Sequence, residues 1–325
     1  MKTLPRIMIK GKFRKRGKSV ENYSVLMSVY YKEDPGFLRS AIESMLTQTV
    51  PPEEFVLVCD GPLTTSLENV IEQFCHSYPE LFRILRLEKN SGLGIALGEG
   101  LLQCRNELVA RMDSDDISLP DRMEKQLEVI CADPNISVLG GQIGEFSQDP
   151  DQIDTYRVVP VCREKLREFL KFRSPMNHTT VVLRRSHILK VGSYQNIPGF
   201  EDYALWIRMA AEGYLLRNID VLCCKVRADA GMYARRGGVP YFVNARKVAQ
   251  LLLEKKLIGY GEYWCNVFIR FIETVLLPSR IRRRIFNTYL RTSAKGTQHG
   301  REGGTVGKEE PLRMLPQMGN SYIKQ

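Results

Sequence analysis

A chain of 325 residues with 43% hydrophobic side chains is long enough for one large domain with extensions, or for two, and can bury a substantial core. Its net charge of +10 suits anionic headgroups or phosphate-bearing substrates, whereas the lack of RRM aromatics and of zinc-finger spacing argues against nucleic acid. The eight cysteines contain no C-x-x-C pair and read as buried free thiols of a reducing cytosol; the basic N-terminus has no apolar stretch behind it to make a signal peptide, and no run of about 18 apolar residues spans a membrane.

Residues 1–21 are basic and weakly patterned, a mobile arm by composition. An almost wholly apolar run over 23–30, ending in Val29 and Tyr30, predicts a buried parallel strand. Phe37, Leu38, Ala41, Ile42, Met45 and Leu46 recur at helical spacing until Pro51 and Pro52. A second strand, 55–59, runs into Asp60 and Gly61, and a helix with Leu67, Val70, Ile71 and Phe74 leads to a third strand, 82–87. A helix over 94–104 and a fourth strand over 108–112 follow. This strand–helix alternation predicts an α/β fold with a right-handed, mainly parallel central sheet flanked by helices.

The fourth strand leads into Arg111, Met112, Asp113, Ser114, Asp115 and Asp116, placing three carboxylates within four residues at a strand's carboxyl end. Open α/β sheets bind ligands at that edge. Alternation along an extended chain would put Asp113 and Asp115 on one side, where a hard cation, Mg2+ or Mn2+, would relieve their repulsion. A solvated acidic loop is the plain alternative. Ser118 reads as the N-cap of the next helix, 122–130, with Pro120 early in it. Strands are expected at 136–141, at 179–183 after Asn177 and His178, and at 221–226; a short helix falls around Leu166–Leu170 and another over 201–212, closed by Gly213.

Several other positions could carry chemistry. Asp60 could accept from a base N–H or a ribose hydroxyl, or be an ordinary turn residue. Gly92, Gly94 and Gly98 resemble a dinucleotide fingerprint, but they follow the third strand, and an acid cluster rather than one ribose-binding carboxylate lies downstream. Glu201 and Asp202 sit at a helix start, where the dipole favours acids and where one could serve as general base; Trp206 would wall a pocket. His178 reads as a core histidine or a substrate contact. Arg227, Arg235 and Arg236 could meet a diphosphate or form a basic loop.

In order, these stretches (Val29-Tyr30, Asp60-Gly61, Asn90-Ser91-Gly92, Asp113-Ser114-Asp115-Asp116, Asn177-His178, Glu201-Asp202 through Trp206, and Arg235-Arg236-Gly237-Gly238) resemble the family 2 glycosyltransferases, above all bacterial enzymes of capsule and exopolysaccharide assembly of the amylovoran type. The resemblance covers residues 22–290 and implies a GT-A fold, an inverting transferase, a nucleotide-diphosphate sugar as donor with UDP favoured, and a divalent metal. It places Val29, Tyr30, Asp60, Asn90, Gly92, Arg111, Asp113, Arg235 and Arg236 around the donor, with Asp60 on the base. Asp115, with Asp113, falls on the metal, Asp202 with Glu201 becomes the general base, and His178 and Trp206 line the acceptor pocket. Cys59-Asp60-Gly61-Pro62 departs from the family's usual Asp-Asp-Gly-Ser, and the Gln-x-x-Arg-Trp signature of processive synthases is missing. A nucleotidyltransferase, an NAD-dependent oxidoreductase and a non-catalytic assembly protein remain as rivals.

The expected organisation is a catalytic domain over 22–238, a helical region over 239–292 and a disordered tail over 293–325. Trp264, Val267, Phe268, Phe271, Ile272, Val275 and Leu276 form one helical face, and arginines 280, 282, 283, 284 and 291 surround a second. Residues 263–291 therefore read as a basic amphipathic unit for peripheral contact with the inner face of the cytoplasmic membrane, matching the lipid-linked or saccharide acceptor that the resemblance implies.

Overall fold

The computed structural model describes residues 21–228 and 237–278, together with 14–15, 18–19, 281 and 292–293. Strands β1 (Arg14–Lys15) and β2 (Lys18–Ser19) form a separate antiparallel pair. The main sheet opens with β3 (Tyr23–Val29), β4 (Glu54–Cys59), β5 (Phe82–Arg86) and β6 (Leu108–Asp113), ordered β5-β4-β3-β6 and all parallel. Helices α1 (Pro35–Leu46), α2 (Thr65–Ser77) and α3 (Leu93–Gln103) make the crossovers. Asp34 caps α1 by accepting from the Gly36 and Phe37 amides at 2.7 and 3.1 Å, with Pro35 in its first turn.

Alternation along the strands divides the core. Val25, Met27, Val29, Phe55, Leu57, Ala110 and Met112 face α1, α2 and α4 (Arg122–Ala132), whereas Leu26, Val56, Val58 and Val109 face α3 and α7 (Glu201–Ala211). Chain order reverses between β3 and β6. The crevice beyond their carboxyl ends is thus the sheet's switch point.

Past β6 the sheet becomes mixed. Strand β8 (Ile136–Phe146) pairs in parallel with β11 (Leu215–Arg227), while β10 (Val182–Arg184) runs antiparallel between β6 and β8, and β9 (Thr155–Arg157) antiparallel to β8. A final pair, Thr292–Ser293 (β12), lies against β9. Strand β8 continues through Gly140 and Gly141 because its pairing with β11 extends beyond them. Residues 179–183 are not one strand. Thr180 donates its hydroxyl to the Asn177 carbonyl (2.7 Å) and its amide to the same carbonyl (3.0 Å), closing a 3-10 turn over His178–Thr180 before β10 begins. Ser118 is not a helix cap either. It lies in β7 (Ile117–Ser118), paired with Cys224, and Asp121 precedes α4.

Short helices α5 (Arg163–Leu170) and α6 (Arg185–Lys190) flank the second half. Gly213, at φ +81°, ends α7 as expected. The chain then forms α8 (Val239–Glu254), α9 (Tyr260–Phe271) and a π-turn over Ile272–Leu276. No helix among the described residues is long and apolar enough to cross a membrane. All eight cysteines are free: Cys59, Cys104, Cys223 and Cys224 are buried, but Cys162 and Cys265 are exposed.

Candidate active site

The switch-point crevice gathers most of the residues singled out in the sequence. Val29 ends β3 buried, its carbonyl accepting from the Asp60 amide at 2.8 Å, and Tyr30 beside it is exposed. Asp60 directly follows β4 and is almost wholly buried. Its Oδ1 accepts from the Ser91 amide (2.6 Å) and its Oδ2 from the Gly92 amide (3.0 Å), while Asn90 donates to its carbonyl (3.2 Å). The carboxylate thus fastens the loop before α3 to the end of β4. Gly61 permits this: at φ +86°, a Cβ there would lie 2.5 Å from the Asn90 nitrogen.

Arg111 and Asp113 are two apart on β6 and so share the sheet face toward α7. Arg111 is buried, and two of its nitrogens grip both oxygens of the half-exposed Asp113. Its Nε has no hydrogen-bond partner among the described residues. Arg122, itself buried at the start of α4, donates to the Arg111 carbonyl (3.0 Å) and to Gln126 (2.9 Å), which donates in turn to the Leu139 and Thr180 carbonyls. This interior polar network fixes the end of β6, and a buried charge is tolerated there because it is bonded.

The strand ends at Asp113, and Ser114 and Asp115 form a turn. The expected projection of Asp113 and Asp115 from one side of an extended chain is therefore corrected: Asp113 is a strand residue paired with Arg111, and Asp115 belongs to the turn. Burial, then the charges of Asp113 and Glu33, push the Asp115 carboxyl up to about 7. Burial and the charges of Asp115 and Asp113 also raise Asp116 well above the usual carboxylate range, although its Oδ1 accepts from the Arg227 amide (3.1 Å). Glu33 accepts from the Ser114 hydroxyl (2.5 Å), and burial raises its carboxyl too.

An acid turn with this much uncompensated negative charge fits a hard divalent ion held by Asp115 and by a ligand's own oxygens. One or two carboxylates plus phosphate oxygens and water are the common magnesium set. Among the described residues no three His, Cys, Asp or Glu side chains converge as a ready-made metal cage. Such an ion would depend on the ligand for most of its coordination.

The second wall comes from α7 and the 3-10 turn. Glu201 is buried at the start of α7, which chiefly raises its carboxyl. Asp202 accepts the Ser174 hydroxyl at Oδ2 (2.8 Å), and Oδ1 makes no hydrogen bond among the described residues. His178 meets the Tyr194 hydroxyl through Nε2 (3.0 Å); burial, then Arg111, push its pKa well below 6.5, leaving a neutral imidazole. Trp206 is wholly buried, edge-on beneath His178 at 6.1 Å, so it supports that ring and is not itself a pocket wall. Tyr194, bonded to His178, is buried, and the charges of Arg111, Asp202 and Asp113 all act on its hydroxyl. Arg227 stacks between Phe37 (3.5 Å) and Phe146 (4.7 Å). Arg235 and Arg236 lie outside the described residues. A separate cavity of about 310 Å³, lined by Lys190, Arg208, Glu212 and Lys255, opens at the far end of α7; Arg208 there donates to the Val191 and Ser193 carbonyls and has no part in the acid site.

Tyr194, Ser174 and Glu33 were not candidates in the sequence. Tyr194 and Ser174 sit in irregular segments without periodicity, and Glu33 lies in the turn ahead of Asp34 and Pro35, where an acid reads as part of a helix start.

A profile of the family described as "Glycosyl transferase family 2" matches residues 24–197. An uncharacterized glycosyltransferase of Haemophilus influenzae is 39% identical over 272 residues, 83% of this chain and 99% of that protein. The amylovoran biosynthesis glycosyltransferase AmsE of Erwinia amylovora is 35% identical, covering 81% and 97%. An Escherichia coli UDP-Gal:alpha-D-GlcNAc-diphosphoundecaprenol beta-1,3-galactosyltransferase is 35% identical, covering 83% and 96%. In fold the chain is similar to S. aureus TarS 1–349 in complex with UDP-GlcNAc (TM-score 0.59, 17% identity, 82% of this chain and 75% of that one). It is likewise similar to a Pyrobaculum calidifontis mannosyltransferase in complex with GDP-Man and Mn2+ (TM-score 0.55, 15% identity, 78% and 70%). The fold is GT-A, and the chain belongs to glycosyl transferase family 2.

Proposed function

We propose that the chain is an inverting glycosyltransferase that moves a sugar from a nucleotide-diphosphate sugar, UDP-linked by preference, to a hydroxyl of a lipid-linked saccharide in surface-polysaccharide assembly, working at the cytoplasmic face of a membrane. One observation carries the reading. At the carboxyl end of β6 an acid turn gathers surplus negative charge, and Asp113 beside it and a separate carboxylate, Asp202, both act on Tyr194; Asp202 Oδ1 makes no hydrogen bond among the described residues. The donor and acceptor classes follow the relatives from Erwinia amylovora and Escherichia coli.

In this reading the nucleoside lies over the end of β4, where Asp60 holds the Asn90–Gly92 loop, and Tyr30 is open to it. The diphosphate lies toward Asp115. A divalent ion bound there, Mg2+ or Mn2+, would supply positive charge to the departing diphosphate. Arg111 grips both oxygens of Asp113 and so holds it in place toward the sugar or ribose hydroxyls, to which a carboxylate can only accept. Ser174 fixes Asp202 by one oxygen. As the acceptor oxygen bonds to the anomeric carbon, its proton passes to Asp202 Oδ1 and the bond from that carbon to the diphosphate breaks on the opposite face. One displacement inverts the centre without a sugar–enzyme bond. Glu201, buried behind Asp202, and neutral His178 shape the acceptor side, and Arg235 and Arg236 are carried by the family resemblance as donors to the diphosphate.

A thermal-shift screen of nucleoside diphosphates with and without Mg2+ or Mn2+ tests the reading. At 100 times Kd, binding adds about 2.7 kcal/mol of stability. UDP with metal is expected to raise Tm. If no nucleoside diphosphate shifts it under either metal, the donor assignment is wrong.

A further inference from the structure

Helix α9 is built inside out. Its buried residue is Asn266, which donates to the Lys171 carbonyl at 2.9 Å. Arg270 donates to the Phe172 carbonyl (2.8 Å) and to Glu273 (2.9 Å), and Glu262 pairs with Lys171 (3.2 Å). These positions, spaced by three and four, form one stripe, so the helix is fastened to the end of α5 by its polar side. The other side carries Tyr260, Trp264, Phe268 and Phe271, exposed by 75, 65, 65 and 38%. Leu276 (59%) and Phe172 (46%) are exposed as well. A helix on a soluble domain turns its apolar stripe inward. Single exposed apolar residues are ordinary, but an aromatic ladder along a whole helix marks an interaction surface.

Charge and composition select the occupant. Tyrosine and tryptophan favour the boundary between headgroups and acyl chains. In the sequence, Pro278 is followed by arginines 280, 282, 283, 284 and 291, with Ile285, Phe286, Tyr289 and Leu290 among them, and Ile281 is exposed. Five arginines that follow the ladder in the sequence would oppose a second copy of the same basic segment and would be drawn to an anionic surface.

We propose that the outward face of α9, with Phe172, lies in the interface of an anionic bilayer. Two residues beyond Phe172, Ser174 donates to Asp202. Docking would therefore hold the base's own loop against the bilayer and present Asp202 to an acceptor head anchored in it. That last step rests on the proposed base; the docking itself does not.

The two tryptophans make this measurable, because Trp206 is wholly buried and Trp264 is exposed. The full chain is mixed with vesicles of phosphatidylcholine, with and without phosphatidylglycerol, at low and high salt. Vesicles containing phosphatidylglycerol should sediment the protein at low salt, and brominated acyl chains should quench its fluorescence. Trp264→Phe should still sediment but lose that quenching. Trp264→Ser with Phe268→Ser, which removes no hydrogen bond among the described residues, should keep its Tm and its UDP response while partitioning at least about tenfold more weakly. Absence of sedimentation at low salt, equal partitioning by the double variant, or a wild-type dimer that the double variant dissolves without vesicle binding overturns the docking. If UDP still binds in any of these cases, the transferase reading stands on its own.

Discussion

Asp115 carries a charge that the fold alone does not support. Its carboxyl is raised from 3.8 to about 7, burial first and the charges of Asp113 and Glu33 next. Between those values the folded state holds a proton that the unfolded chain has released, so stability falls as pH rises across that window. Asp115→Asn removes the titration. It should raise the Tm of the metal-free protein, and by more at pH 8 than at pH 5, in parallel melts. An equal change at both pH values would mean that the carboxyl is not strained. Asp115→Ala should also abolish the metal-dependent part of UDP binding in a calorimetric titration with Mn2+, and wild-type affinity would remove Asp115 from the metal role. Val29, Asp60, Asp113, Glu201 and Asp202 lie at or beside strand ends and a helix start, where a sequence pattern can be read. Their partners were not legible. Nothing in the order of residues says that Arg111 spends itself on Asp113, or that a serine and a tyrosine from irregular loops complete the site.

The elements meet at Gly94, in the first turn of α3. A Cβ there would lie 2.5 Å from the Gln195 carbonyl oxygen and 3.0 Å from Glu201 Cγ, so its absence lets the start of α7 close on α3. Gly94→Ala should cost roughly 1–3 kcal/mol through overpacking, read by urea denaturation. It should slow turnover more than it weakens UDP binding, because Glu201–Asp202 would shift while Asp60 and Asp115 stay in place. Unchanged stability and turnover would mean that the closure is unimportant. The early strands and helices were legible because buried parallel strands are apolar throughout and α1, α2 and α7 keep clean helical periods. The stretch 179–183 misled because threonines and valines suit a strand, whereas Thr180 uses its hydroxyl to close a turn. The acid alternation misled because strand geometry was extended two residues past the strand's end. The Arg122–Gln126 network has no sequence signature, since polar residues in the first turn of a helix usually face water.

For the whole molecule, the fold class and family were legible from the ordered motifs, the first four of which follow the parallel strands β3, β4, β5 and β6 along one edge. The direction of α9 was not fixed by periodicity, and the reading of 263–291 as a membrane-contacting unit rested on its arginines. Periodicity in 260–276 reports that an apolar stripe exists, but not whether it faces the core or the outside, and here it faces out. The central claim is a division of labour across the crevice: the donor on the β4 and β6 side, the proton acceptor on α7. Asp202→Asn tests it most directly, because it keeps the Ser174 contact and removes only the base. Donor affinity, measured by UDP titration with Mn2+, should match the wild type, while turnover of a UDP-sugar with a lipid-linked saccharide acceptor should fall by at least about 10², the low end for loss of a general base. Turnover close to wild type, or loss of UDP binding in a folded variant, would contradict the account.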